Sequence, residues 1–109
     1  MTKICVYRKN EDIVKFTLSG HTGYAEQGED IVCAAISTLA TATLNGLTEV
    51  VKIGIGFEIR DAYIECVLPD ELSVSKRKGA NVLLETFYMS IVNLKEQYEQ
   101  YITITELEV

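Results

Sequence analysis

The chain has 109 residues, and at roughly 100–150 residues per domain this leaves room for one hydrophobic core, so residues 1–109 are expected to form a single domain. Hydrophobic residues make up 48% and charged residues 24%, with one proline and seven glycines, a balance that excludes a disordered linker or a collagen-like chain. Sixteen acidic against ten basic side chains give a formal charge of -6, which repels phosphate backbones and disfavours a general nucleic-acid binder.

Lys3, Arg8 and Lys9 bracket an N-terminal apolar run too short for a signal peptide. No apolar stretch is expected to approach the roughly 20 residues needed to cross a bilayer, so a cytoplasmic protein with no membrane segment is expected. Cys5, Cys33 and Cys66 are odd in number and widely spaced, which suits neither a disulfide framework nor a paired-cysteine zinc site. Three free thiols in a reducing compartment follow.

In chain order, Lys3 to Arg8 and Ile13 to Ser19 are β-rich runs separated by the polar turn Lys9-Asn10-Glu11-Asp12, and together they predict a hairpin with Val14, Phe16 and Leu18 on one face. Gly20 to Asp30 holds three glycines and no apolar periodicity, the pattern of a mobile loop, and such loops often carry function. From Ile31 the apolar residues recur at steps of three and four as far as Val51, predicting a helix to about Lys52 with Asp30 as its N-cap. Phe57 to Arg60 and Tyr63 to Leu68 form a second predicted hairpin about Asp61-Ala62, a turn without the usual glycine. Val82, Leu83, Phe87, Ile91, Leu94 and Tyr98 mark a long second helix after Ser75, and Ile102 to Thr105 is a closing strand. The fold class is therefore α/β (α+β): a two-layer sandwich in the order ββαββαβ, with a largely antiparallel five-stranded sheet and two long helices.

His21, the chain's single histidine, lies at the end of the second strand, and Cys33 lies in the first turn of the following helix. A thiol there faces unpaired amides and the positive end of the helix dipole, both of which favour the thiolate. An imidazolium beside it favours the thiolate further and is able to protonate a leaving amine. The amides around Val32 and Cys33 are candidate oxyanion donors. Against this, a cysteine followed by Ala34-Ala35 is often a small core residue, and a loop histidine is often merely solvated.

The segment Gly20-His21-Thr22-Gly23-Tyr24-Ala25, followed by Gly28-Glu29-Asp30-Ile31-Val32-Cys33-Ala34-Ala35-Ile36-Ser37, resembles the signature of the ribosomal-processing cysteine protease family, Prp. The resemblance spans essentially the whole chain and implies an α/β sandwich with a catalytic dyad at His21 and Cys33. Thr22 stands where the family usually has alanine. The resemblance also implies a substrate, the N-terminal extension of large-subunit ribosomal protein twenty-seven, and a homodimer. A basic ribosomal protein complements the acidic chain. No Lys or Arg occurs between Lys15 and Lys52, so the candidate site lacks a phosphate clamp, and direct nucleic-acid binding is not expected.

Asp30 has two readings, orienting His21 or capping the helix. Ser37, one turn after Cys33, either helps organise the site or bonds back to the Cys33 carbonyl. Gly20, Gly23 and Gly28 are candidates for a substrate loop that closes on the correct peptide. His21 and Cys33 alone are too few ligands for a structural zinc, and neither metal nor cofactor is expected. Cys5 and Cys66 read as core residues, and Lys76-Arg77-Lys78 reads as a solvated face, with a salt bridge or a partner contact as the second possibility. Two rival functions stay open. Gly20-His21-Thr22-Gly23 has the spacing of a KH-type Gly-x-x-Gly RNA-binding loop, although it follows a strand and its inner residues are not basic. Alternatively, Cys33 is a redox-sensing thiol.

Overall fold

The computed structural model describes residues 1–26 and 28–109. Strands β1 (Thr2–Lys9) and β2 (Asp12–Ser19) pair antiparallel through the turn residues Asn10 and Glu11. Both turn residues have positive φ, 52° and 75°, as the right-handed twist of a two-residue hairpin requires. The burial pattern of β2 differs from simple alternation: Ile13, rather than Val14, is buried with Phe16 and Leu18. The register slips at this point, with Tyr7 opposite Lys15 and Arg8 opposite Ile13. Val14 is thus the extra residue of a bulge, and one extra residue exchanges the faces beyond it.

Helix α1 (Ile31–Asn45) starts at Asp30, whose carboxylate accepts from the Val32 and Cys33 amides. The predicted continuation to Lys52 is not α-helical, because the path widens into a π-turn over Gly46–Val50. There the Thr48 hydroxyl donates to the Leu44 carbonyl at 2.9 Å, competing with the backbone ladder. By length and composition Ile31–Val50 is apolar enough to cross a membrane, contrary to the expectation from the sequence. In this fold its apolar residues Val32, Ile36, Ala40, Leu44 and Leu47 are buried in the core.

Strands β3 (Gly56–Arg60) and β4 (Tyr63–Val67) form the second hairpin. Its turn dispenses with glycine by placing Ala62 in the left-handed region, φ 55°. Helix α2 (Val74–Gln97) is capped by Ser73, whose hydroxyl accepts from the Lys76 amide at 3.2 Å. The basic run in its first turn is largely partnered. Lys76 Nζ donates to the Lys52 carbonyl at 2.7 Å and Arg77 pairs with Asp12 at 3.8 Å. A 3₁₀ turn, Glu99–Tyr101, leads into β5 (Ile102–Glu108), three residues longer than the apolar run predicts. Parallel pairing with β1 continues to Arg8 opposite Glu108, and Arg8 Nε meets Glu106 at 2.7 Å.

The sheet order is β3-β4-β2-β1-β5. One face, through Ile4, Val6, Phe16, Leu18, Cys66 and Ile102, joins the apolar sides of both helices in one core. Phe16 and Phe87 stack at its centre with ring centroids 4.5 Å apart. The π-turn after α1 and helix α2 approach closely where each offers a glycine. Gly46 receives Leu83, and Gly79 receives Val51. The result is a two-layer α/β sandwich with three antiparallel strand pairings and one parallel.

Candidate active site

Pairing of β2 with β4 sets Ser19 opposite Tyr63, so the loop leaving β2 and the β3–β4 turn emerge at the same end of the sheet. Gly20 ties the two together. Its amide donates to the Ala62 carbonyl at 2.8 Å and its carbonyl accepts from the Thr2 hydroxyl at 3.1 Å. With φ at +86° and the Met1 carbonyl oxygen 2.6 Å from where a Cβ would stand, this position admits only glycine.

His21 follows with a half-exposed ring, its Nε2 3.8 Å from Asp61 Oδ1 in the β3–β4 turn. That separation is an ion pair when the ring is protonated and is too long for a hydrogen bond. Thr22 turns inward and is 2% exposed. Its amide donates to Cys33 Sγ at 3.2 Å, and its hydroxyl lies 3.2 Å from the same sulfur and 2.5 Å from Asp30 Oδ2.

Asp30 organises the whole segment. Oδ1 accepts from the Val32 and Cys33 amides at 3.0 and 2.9 Å, while Oδ2 accepts from the Thr22 hydroxyl and from the Tyr24 and Ala25 amides at 3.0 and 3.3 Å. Burial pushes this carboxyl's pKa up, but the Thr22 hydroxyl and the Cys33, Ala25 and Tyr24 amides outweigh it and hold the pKa at about 2. One alternative is decided and one expectation overturned as a consequence. Among the described residues Asp30 makes no hydrogen bond to His21, so it caps the helix and ties down the loop, and the carboxylate nearest the ring is Asp61. The first-turn amides of Val32 and Cys33 are already taken by the cap, so they are not open to an oxyanion.

The loop itself is anchored rather than free over its first half. Besides the bonds to Asp30, Tyr24 packs edge-on against Tyr98 and Tyr101, with centroids 5.5 and 5.3 Å apart. Gly23 and Gly28 both have positive φ, 76° and 90°. With Gly20, His21, Cys33 and Ser37 they line a cleft of about 630 Å³ between the start of α1 and the β3–β4 hairpin. Ser37 is exposed to this cleft and makes no back-bond to the Cys33 carbonyl. Cys33 is half-buried in the cleft wall. Cys66, by contrast, lies in the core, and burial, aided by neighbouring Glu65, pushes its thiol pKa up to about 12. Cys5 is half-buried on β1. The contributions of Asp61 and of the Thr22 hydroxyl were not foreseeable from spacing, because the first depends on which strand ends meet and the second on the path of the loop.

Comparison with known proteins agrees with this architecture. The family model described as cysteine protease Prp matches residues 1–103. The ribosomal processing cysteine protease Prp of Bacillus subtilis (strain 168) is 29% identical over 106 residues, covering 90% of this chain and 91% of its own. The essential ribosomal processing protease Prp of S. aureus, solved with a covalently linked product peptide, superposes with a TM-score of 0.88 at 20% identity, over 97% of this chain and 99% of that one. The protein SMU.848 of Streptococcus mutans superposes with a TM-score of 0.80 at 25% identity, over 100% and 96% of the two chains. The chain belongs to the Prp family of cysteine proteases and is a hydrolase.

Proposed function

We propose that this protease removes the N-terminal extension of a basic large-subunit ribosomal protein, protein twenty-seven, with Cys33 as nucleophile and His21 as general acid and base. One juxtaposition carries the reading: Cys33 and His21 line the same cleft. The relatives add to it, since the Bacillus subtilis protein is a ribosomal processing protease and the S. aureus protease has been solved with a substrate peptide.

In the proposed sequence His21 takes the proton of the Cys33 thiol, and the resulting thiolate attacks the scissile carbonyl carbon, forming a C–S bond and an oxyanion. The Thr22 amide, held against the sulfur at 3.2 Å, is the neighbouring backbone donor for that oxyanion. Collapse breaks the C–N bond as the His21 imidazolium gives its proton to the departing amine. His21, now neutral, takes a proton from water, whose oxygen attacks the thioester and releases the carboxylate product and the thiolate. The formal charge of -6 favours encounter with a basic substrate in the cytoplasm. The test is incubation of the extended ribosomal protein with wild type, Cys33→Ala and His21→Ala. Cleavage by wild type and its loss in both folded variants is the expected result. Undiminished cleavage by Cys33→Ala eliminates the reading.

A further inference from the structure

We propose that the Thr22 hydroxyl is a positioning group that holds the Cys33 thiol in its protonated resting state, accepting the S–H hydrogen and so restraining the sulfur until substrate is engaged. This rests on Cys33 being the nucleophile and goes beyond it in assigning how the sulfur is kept quiet. A threonine hydroxyl has a single hydrogen to donate. Thr22 Oγ1 gives it to Asp30 Oδ2, 2.5 Å away and ionised, an acceptor with no hydrogen of its own to offer. The same oxygen stands 3.2 Å from Cys33 Sγ, and with its hydrogen committed it is left facing the sulfur with lone pairs. That contact is favourable when sulfur carries hydrogen and repulsive when sulfur is an anion. The Thr22 amide approaches the sulfur at the same distance, so one residue supplies a donor that suits either form and an acceptor that suits only the thiol. Burial of Thr22, 2% exposed, keeps water from replacing the hydroxyl.

The ionisable groups that line the cleft with Cys33 are Asp30 and His21 from the loop, Arg60 and Asp61 from the β3–β4 hairpin, and Tyr63 from β4. Of these only Asp30 bonds to the Thr22 hydroxyl, and without it Asp30 keeps the Tyr24, Ala25, Val32 and Cys33 amides as donors. Iodoacetamide alkylation of Cys33, followed by peptide mapping to separate it from Cys5 and Cys66, reads the effect without any substrate. Thr22→Val and Thr22→Ala both remove the hydroxyl, the second tolerating tighter surroundings, and Thr22→Ser restores it. At pH 7 Cys33 is expected to alkylate about fivefold faster in Thr22→Val and Thr22→Ala, the worth of one weak hydrogen bond, with Thr22→Ser close to wild type. At pH 10, where thiols are largely ionised, all four proteins converge. Equal or slower alkylation at pH 7 in the folded hydroxyl-free variants overturns the proposal. So does an acceleration that persists at pH 10, which marks simple exposure of the sulfur. Peptide cleavage is scored separately, so failure of the protease reading and failure of this one are distinguishable.

Discussion

Replacing Asp30 with alanine tests the arrangement of the site most directly, because five donors converge on this one carboxylate. Loss of the N-cap removes about 1 kcal/mol. The Thr22 hydroxyl, buried and without another strong acceptor, loses roughly 1–3 kcal/mol. The Tyr24 and Ala25 amides belong to exposed residues and recover much of their loss by binding water. The sum is about 3 kcal/mol, which in urea unfolding at a slope of ~1.5 kcal/mol/M lowers the midpoint by about 2 M. Asp30→Asn separates the two halves of the role. It keeps an acceptor for the helix amides but turns a donor toward Thr22, Tyr24 and Ala25, so about half of the loss is expected. The pH dependence is a further check. The carboxyl titrates at about 2 in the folded chain against 3.8 ordinarily, so its contribution is complete above pH 4 and disappears as the pH falls toward 2. That contribution is on the order of 2 kcal/mol, and the stability gap of about 1.5 kcal/mol between wild type and Asp30→Asn largely closes over the same window. An Asp30→Ala protein within 0.5 kcal/mol of wild type at pH 7, an allowance of the order of surface substitutions, refutes the reasoning.

Asp61→Ala removes the carboxylate nearest His21; because that side chain is largely exposed, peptide cleavage is expected to fall only about two- to fivefold, with the difference shrinking in high salt. Gly46→Ala sets a Cβ 2.9 Å from both δ-carbons of Leu83, forcing the helices apart at a loss of about 1–3 kcal/mol in urea unfolding, and Leu83→Ala in the same chain relieves part of it. Gly20→Ala meets backbone rather than a side chain, at +86° and 2.6 Å from the Met1 carbonyl oxygen. Its expected loss is about 2–4 kcal/mol, and cleavage falls with it because the His21 segment shifts.

Much of this molecule was legible in local pattern. Both hairpins, both helices and the Asp30 cap follow from periodicity, turn residues and capping chemistry. What local pattern does not contain is pairing. The bulge at Val14 is set by how β2 meets β1, and the extra length of β5 by its ladder with β1. The π-turn after Asn45 reflects a contest between the Thr48 hydroxyl and the helix ladder, where the apolar pattern of α1 continues without a break. The candidate site divides along the same line. His21, Cys33 and the loop glycines stand close together in the sequence, and the fold keeps them on one cleft. Asp61 lies forty residues beyond His21, and it reaches the ring because β4 docks beside β2. Capping by Asp30 was legible as well, but its second oxygen, turned back to Thr22, depends on the loop's path. That path is also why the first-turn amides, attractive as oxyanion donors on sequence grounds, are already taken.

The neighbours of β1 differ greatly in sequence distance, and this bears on how the chain reaches its native state. β2 follows it through a two-residue turn, whereas β5 arrives from the far side of both helices to set Ile102 against Thr2. A hairpin of the first kind closes in microseconds, while pairing over such a span pays a large closure entropy and is slow. Until it forms, the outer edge of β1 carries unpaired backbone and invites association with other chains. Thr2, at the start of that late pairing, is also the residue whose hydroxyl holds the Gly20 carbonyl. Because Lys3 pairs with Ser19, that contact is set by the early hairpin, so a chain caught before β5 docks already holds the start of its histidine segment while the outer edge of β1 is still open.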